Sequence, residues 1–167
     1  LQGLIHRDSA PFLYLPFMIQ ILFLAAGLLL APKPDVAALD QFVDNWHKQA
    51  AEANFEAYFE PMDENFVYIG TAPGERWNKT EFAAFAKPYF DRGRAWEFKP
   101  KDRKWNFSAD GKTAWFDEVL DTWMRDCRGS GVVMLTDKGW KLMFYDLHVL
   151  IENEKIDDFL KLRDQQK

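Results

Sequence analysis

The chain has 167 residues, 48% of them hydrophobic and 16% aromatic, enough for one compact domain with a sizeable core. Its formal net charge is −5, and the first 31 residues contribute only Arg7 and Asp8, so the globular part carries all of it. An acidic domain without a Lys/Arg cluster excludes nucleic acid as an expected partner, because that binding depends on neutralising phosphates. The basic run Lys99 to Lys104 is interrupted by Pro100 and Asp102 and reads as a solvated strand edge. Cys127 is the sole cysteine, so neither an internal disulfide nor a cysteine zinc site is expected.

Phe12 to Ala31 is a continuous apolar segment of about bilayer-spanning length, weakened by Pro16 and Gln20 and closed by Pro32-Lys33-Pro34. Residues 1–34 read as a hydrophobic leader, either a signal peptide or a membrane anchor. The expected location is therefore exported (periplasmic or secreted) or tethered to a membrane, and cytoplasmic if the leader is not translated. A globular domain follows over 35–153, with a tail at 154–167.

Leu39, Phe42, Val43, Trp46 and Ala50 recur at helical spacing and predict a first helix from Asp35. Asn54 opens a shorter helical piece that Pro61 ends. Phe66 to Gly70 is a strand of β-favouring residues, closed by a Thr-Ala-Pro-Gly-Glu turn. Asn78 to Glu81 has the capping-box pattern, and Phe82, Phe85, Ala86 and Tyr89 form the stripe of the next helix. After Gly93 the pattern turns to strands over Trp96–Ser108, Thr113–Met124, Arg128–Thr136 and Trp140–Ile151. Tight turns at Asp110-Gly111 and Asp137-Lys138-Gly139 and a polar loop holding Asp126 join them. Ile156 to Leu162 is a candidate amphipathic helix that would pack Ile156, Phe159 and Leu160. Helices grouped before a strand meander indicate an α+β fold with helices on one face of a curved sheet. Gly129 and Gly131 fall where such a sheet needs bulges or close backbone approach.

The strand Thr113–Met124 carries the sharpest chemical signal. Alternation puts Trp115, Asp117, Val119, Asp121 and Trp123 on one face, and Ala114, Phe116, Glu118, Leu120 and Met124 on the other. Glu118 and Asp117 are the candidate catalytic residues, since a desolvated carboxyl is tuned towards acid–base work. The competing reading is a structural ion pair with Arg128, one hairpin away. Glu75, Arg76 and Trp77 lie in a loop at the expected mouth of the fold, where they position a polar ligand group or form an exposed pair worth little. Trp46, Trp115, Tyr68, Tyr145, Arg128 and His148 complete the candidate pocket, although a strand tyrosine is as readily satisfied by a backbone carbonyl. His47 sits beside Trp46, off the apolar stripe. Neither it nor His148 has paired ligand spacing, so no metal is expected, and no cofactor. Arg128-Gly129-Ser130-Gly131 lacks the lysine and helix of a phosphate loop.

Four segments carry a resemblance: Gly74 to Phe90, Ala114 to Asp121, Cys127 to Met134 and Gly139 to Leu147. Together they resemble a SnoaL-like domain of the nuclear-transport-factor-2-like superfamily, over about Ala38 to Asn153. The last strand departs from the pattern, running Tyr145-Asp146-Leu147-His148 where the family tends to Tyr-x-Leu-Ser/Thr and a proline exit. The resemblance implies a cone-shaped fold, its helices and strongly curved antiparallel or mixed sheet enclosing a pocket, often paired into homodimers through the sheet. Members include isomerases, cyclases, dehydratases and binding modules, so the fold alone leaves function open. The expectation is a domain that binds a small apolar or aromatic molecule. The alternative is an acid–base enzyme of isomerase, cyclase or dehydratase type using Glu118 or Asp117.

Overall fold

The computed structural model describes residues 34–165; the hydrophobic leader expected over 1–34 lies almost wholly outside them. Helix α1 (Val36–Ala51) starts at Asp35, whose carboxylate accepts from the Ala37 and Ala38 N–H groups at 3.0 and 3.3 Å. It buries Leu39, Val43, Trp46 and Ala50 as expected, and His47 with them. Helix α2 (Phe55–Phe59) buries Tyr58 and Phe59 and runs into Pro61. Strand β1 (Met62–Ile69) begins earlier than its β-favouring residues suggest, with a bulge between Met62 and Val67.

A turn at 70–75 leads into strand β2 (Arg76–Asn78), which pairs antiparallel with β1 through Tyr68 opposite Trp77. Helix α3 (Lys79–Asp91) then opens on a complete capping box: the Glu81 N–H donates to Asn78 Oδ1 at 3.0 Å, and the Asn78 N–H to Glu81 Oε2 at 2.9 Å. Its buried stripe is Phe82, Ala86 and Phe90, so Phe85 and Tyr89 ride the edge of the interface at 38% and 37% exposure. Burying a phenylalanine of this kind is worth about 1.5–3 kcal/mol.

Four long strands follow: β3 (Lys99–Phe107), β4 (Thr113–Thr122), β5 (Arg125–Thr136) and β6 (Gly139–Val149). The sheet order is β2-β1-β6-β5-β4-β3, with β1 parallel to β6 and the other neighbours antiparallel. Residues 96–98, expected as the start of β3, are irregular, because Phe98 turns inward and Trp96 packs edge-on to Tyr58 and Phe90. The polar loop expected around Asp126 is instead a tight turn at Trp123-Met124, with Arg125 at φ 75° and Asp126 already paired opposite Asp121.

The core lies between the helices and the inner sheet face, where Ala114, Phe116, Glu118 and Leu120 of β4 meet Cys127 and Val133 of β5 and Leu142, Tyr145 and Leu147 of β6. The tail forms a 3-10 turn (Asn153–Lys155) and helix α4 (Ile156–Asp164). It does not pack its apolar side as expected: Ile156, Phe159 and Leu160 are 39%, 37% and 49% exposed. Among the described residues no helix is long and apolar enough to cross a membrane.

Candidate functional site

Period-two alternation turns the Glu118 face of β4 inward and the Asp117 face outward. Glu118 is fully buried and surrounded by donors. His47 Nε2 lies 2.7 Å and the Tyr145 hydroxyl 2.8 Å from its Oε1, and Arg103 Nε and Nη2 donate to its Oε2 at 3.0 and 2.8 Å. Arg103 also donates to Asp40 Oδ1 at 3.1 Å and Asp44 Oδ1 at 2.8 Å, while Trp105 Nε1 donates to Asp40 Oδ1 at 2.8 Å. Asp40, Asp44 and His47 follow i, i+4, i+7 spacing on α1, a polar stripe beside the apolar one. The network therefore clamps α1 to β3, β4 and β6.

Burial works to raise the Glu118 pKa, but His47, Arg103 and Tyr145 together outweigh it and bring it down to about 2. The carboxylate is thus ionised, so the short contact from His47 is an Nε2–H donation. Burial and the Glu118 charge push the Tyr145 hydroxyl well above the usual tyrosine value, which keeps its proton available to donate. Room for this hydroxyl comes from Gly129, opposite Glu118 on β5, where a β-carbon would overlap it. Gly131 likewise leaves space for the Phe116 ring. The expected close approach at these two glycines is present.

The counterion of Glu118 is therefore Arg103 and not Arg128. Arg103, read from sequence as part of a solvated edge, lies opposite Glu118 in the β3–β4 register and has a side chain only 6% exposed. Arg128 is on the outer face, 3.3 Å from Asp117 Oδ2, so Asp117 is a half-exposed surface ion pair facing away from the interior. Trp115 (45% exposed) and His148, 3.5 Å from Asp146, share that outer face. Trp46 is a core residue stacked on Tyr58 at 5.1 Å and edge-on to Tyr145 at 4.8 Å. Cys127 is fully buried.

Three of the sequence candidates do meet at a cavity. Tyr68, Glu75 and Trp77 line a cleft of about 150 Å³ together with Phe82 and Phe85 of α3 and with Trp96 and Phe98 of the irregular segment. Trp123 and Met124 at the β4–β5 tip and Leu147 of β6 complete it. Its walls are stacked rings: Tyr68 on Phe82 at 4.1 Å and Trp77 on Phe85 at 4.4 Å. Glu118 does not line this cleft. Tyr68 lies between the two, 5.9 Å from the Tyr145 ring, and Phe98 stands 6.0 Å from His47. Of two larger surface hollows, one of about 490 Å³ mixes Arg94, Glu97, Lys99 and Asp121 with Trp96 and Trp123, and one of about 530 Å³ is bounded mainly by charged side chains such as Glu60, Asp63, Lys79 and Lys141. Among the described residues no cluster of three or more His, Cys, Asp or Glu side chains is arranged to hold a metal.

Helices packed inside a six-stranded curved mixed sheet form an open cone fold. The chain belongs to the SnoaL-like domain family, whose model matches residues 39–152. No curated protein matches it. Among solved structures, a domain of unknown function with a cystatin-like fold from Nostoc punctiforme aligns at TM-score 0.61 and 20% identity, covering 78% of this chain and 86% of that one. Nuclear-transport-factor-2-like proteins from Cytophaga hutchinsonii (TM-score 0.60, 14% identity, 70% of this chain and 99% of that one) and Pseudomonas putida (0.59, 10%, 71% and 89%) align similarly. At these identities the likeness is one of fold.

Proposed function

We propose that this domain binds a small apolar or aromatic molecule in the cleft between Tyr68, Trp77, Phe82, Phe85 and Trp96. The observation that carries the reading is the cleft itself: about 150 Å³ walled by aromatic faces. An apolar cavity of about this volume is enough for one benzene-sized ring, and it is below the roughly 300–1,000 Å³ of pockets that enclose drug-sized ligands. The cleft thus suits a single ring or head group whose remainder stays outside. The alternative of acid–base catalysis by Glu118 or Asp117 has less support. A base held at a pKa of about 2 is nearly inert at neutral pH, and Asp117 faces the opposite side of the sheet.

The test is a titration of the full chain with benzyl alcohol and indole, followed by tryptophan fluorescence and ligand-observed NMR. Saturable binding is expected, abolished by Thr71→Trp, which places a ring across the exposed rim of the cleft. Binding that survives this variant unchanged, or no binding by any single-ring compound, contradicts the reading.

We also propose a homodimer through the outer sheet face. Favouring it is the row of Val67, Phe144, Val132 and Trp115, which the strand register aligns across four strands, with Met134 40% exposed beside it. Trp115→Lys is expected to shift the light-scattering mass from dimer to monomer while preserving the circular dichroism spectrum. An unaltered protein that is monomeric throughout a micromolar concentration series overturns the pairing.

A further inference from the structure

The cleft has an electrostatic character that its aromatic walls conceal. Of the side chains lining it, Glu75 is the one acid, and no lysine or arginine lines it. Glu75 is held there by its own turn. Its N–H donates to the Ala72 carbonyl at 3.0 Å, its carbonyl accepts from the Gly70 N–H at 2.8 Å, and its Oε2 accepts from the Ala72 N–H at 3.0 Å. The carboxylate folds across Gly70, where a β-carbon would overlap Oε2. Arg76, its sequence neighbour, makes no ion pair with it among the described residues, so of the two readings the sequence left open the exposed pair is absent. The floor of the cleft registers the resulting field. Burial first, and then the charges of Glu75 and Asp146, push the Tyr68 hydroxyl well above its ordinary pKa.

Resting on the ligand-binding reading above, we infer that the cleft recognises an alkylated ammonium head group, a methylated or quaternary amine. Rings of Trp77, Phe85 and Trp96 line the cleft, and an aromatic face attracts a cation through its quadrupole, tryptophan most strongly. Methyl groups spread the charge over an apolar skin, so such a cation sheds water more readily than a bare ammonium and fits an apolar cavity of single-ring size. Glu75 supplies the full counter-charge at the rim. Carboxylate and phosphate ligands are disfavoured by the same field.

The experiment compares choline with its neutral carbon isostere, in which a tert-butyl group replaces the trimethylammonium group, by calorimetric titration of the full chain. The shape of the two ligands is the same, so a difference reports charge. Choline is expected to bind about tenfold more tightly, and Glu75→Gln, which keeps the oxygen acceptor for the Ala72 N–H, is expected to remove that preference while leaving the neutral ligand's affinity. Equal or tighter binding of the neutral isostere to the unaltered protein overturns the inference but leaves the cleft as an apolar binding site. Failure of choline, the isostere and benzyl alcohol alike overturns both readings.

Discussion

Glu118 shows how a suspicious residue acquires a structural meaning once its partners are known. Its folded pKa of about 2 lies below the ordinary 4.5, so it contributes stability that is fully present above about pH 4.5 and is lost as pH falls towards 2. The shift corresponds to about 3 kcal/mol. Glu118→Gln is therefore expected to lower unfolding free energy in urea at pH 7 by about 3 kcal/mol, and to flatten the acid limb between pH 4.5 and 2. An acid limb identical to that of the unaltered protein would contradict the assignment. Gly129→Ala, which drives a methyl group into the Tyr145 hydroxyl, is expected to cost about 1–3 kcal/mol in the same assay. The buried acid was legible because apolar residues alternate around it. Its true partners were not, although signals for both exist. Arg103 alternates with Trp105 and Phe107, the inward pattern of β3, and His47 continues the Asp40–Asp44 spacing on α1. A charge in a lysine-rich run and a histidine one step off an apolar stripe both look solvated until tertiary packing brings them to one carboxylate.

Elements are legible in the sequence where local chemistry is strong. The Asp35 and Asn78 caps, the apolar stripe of α1 and the hairpin turns all appear where residue type demands them. The three-residue β2 is not legible there, because a run that short has no period of its own and exists only by pairing with β1. Trp96 to Phe98 left the expected strand for the same kind of reason: large rings gain more from the core and cleft than from continuing an edge strand. Asn78 joins two of these elements, ending β2 and capping α3. Asn78→Ala is expected to lower stability by about 1 kcal/mol and, by loosening Trp77 against Phe85, to weaken ligand binding in the cleft. A melting temperature and affinity both equal to those of the unaltered protein would show that the cap does not position the cleft wall.

At the scale of the described domain, an open cone divides its polar and aromatic resources between two places. The buried network of Glu118, Arg103, His47 and Tyr145 fixes helix to sheet, and the aromatic cleft lies beyond Tyr68 and Phe98. This separation was hidden in the sequence, where Glu118, Tyr145, Tyr68 and Trp77 all qualified as members of one pocket. It underlies the proposal that ligand binding belongs to the cleft while the carboxylate network serves stability. The most direct measurement titrates one single-ring ligand into the full chain and into three variants, Glu118→Gln, Trp77→Leu and Thr71→Trp, at a temperature where each remains folded. Near-unaltered affinity is expected for Glu118→Gln, reduced affinity for Trp77→Leu and none for Thr71→Trp. Loss of binding in Glu118→Gln with retention in both cleft variants would contradict the proposal.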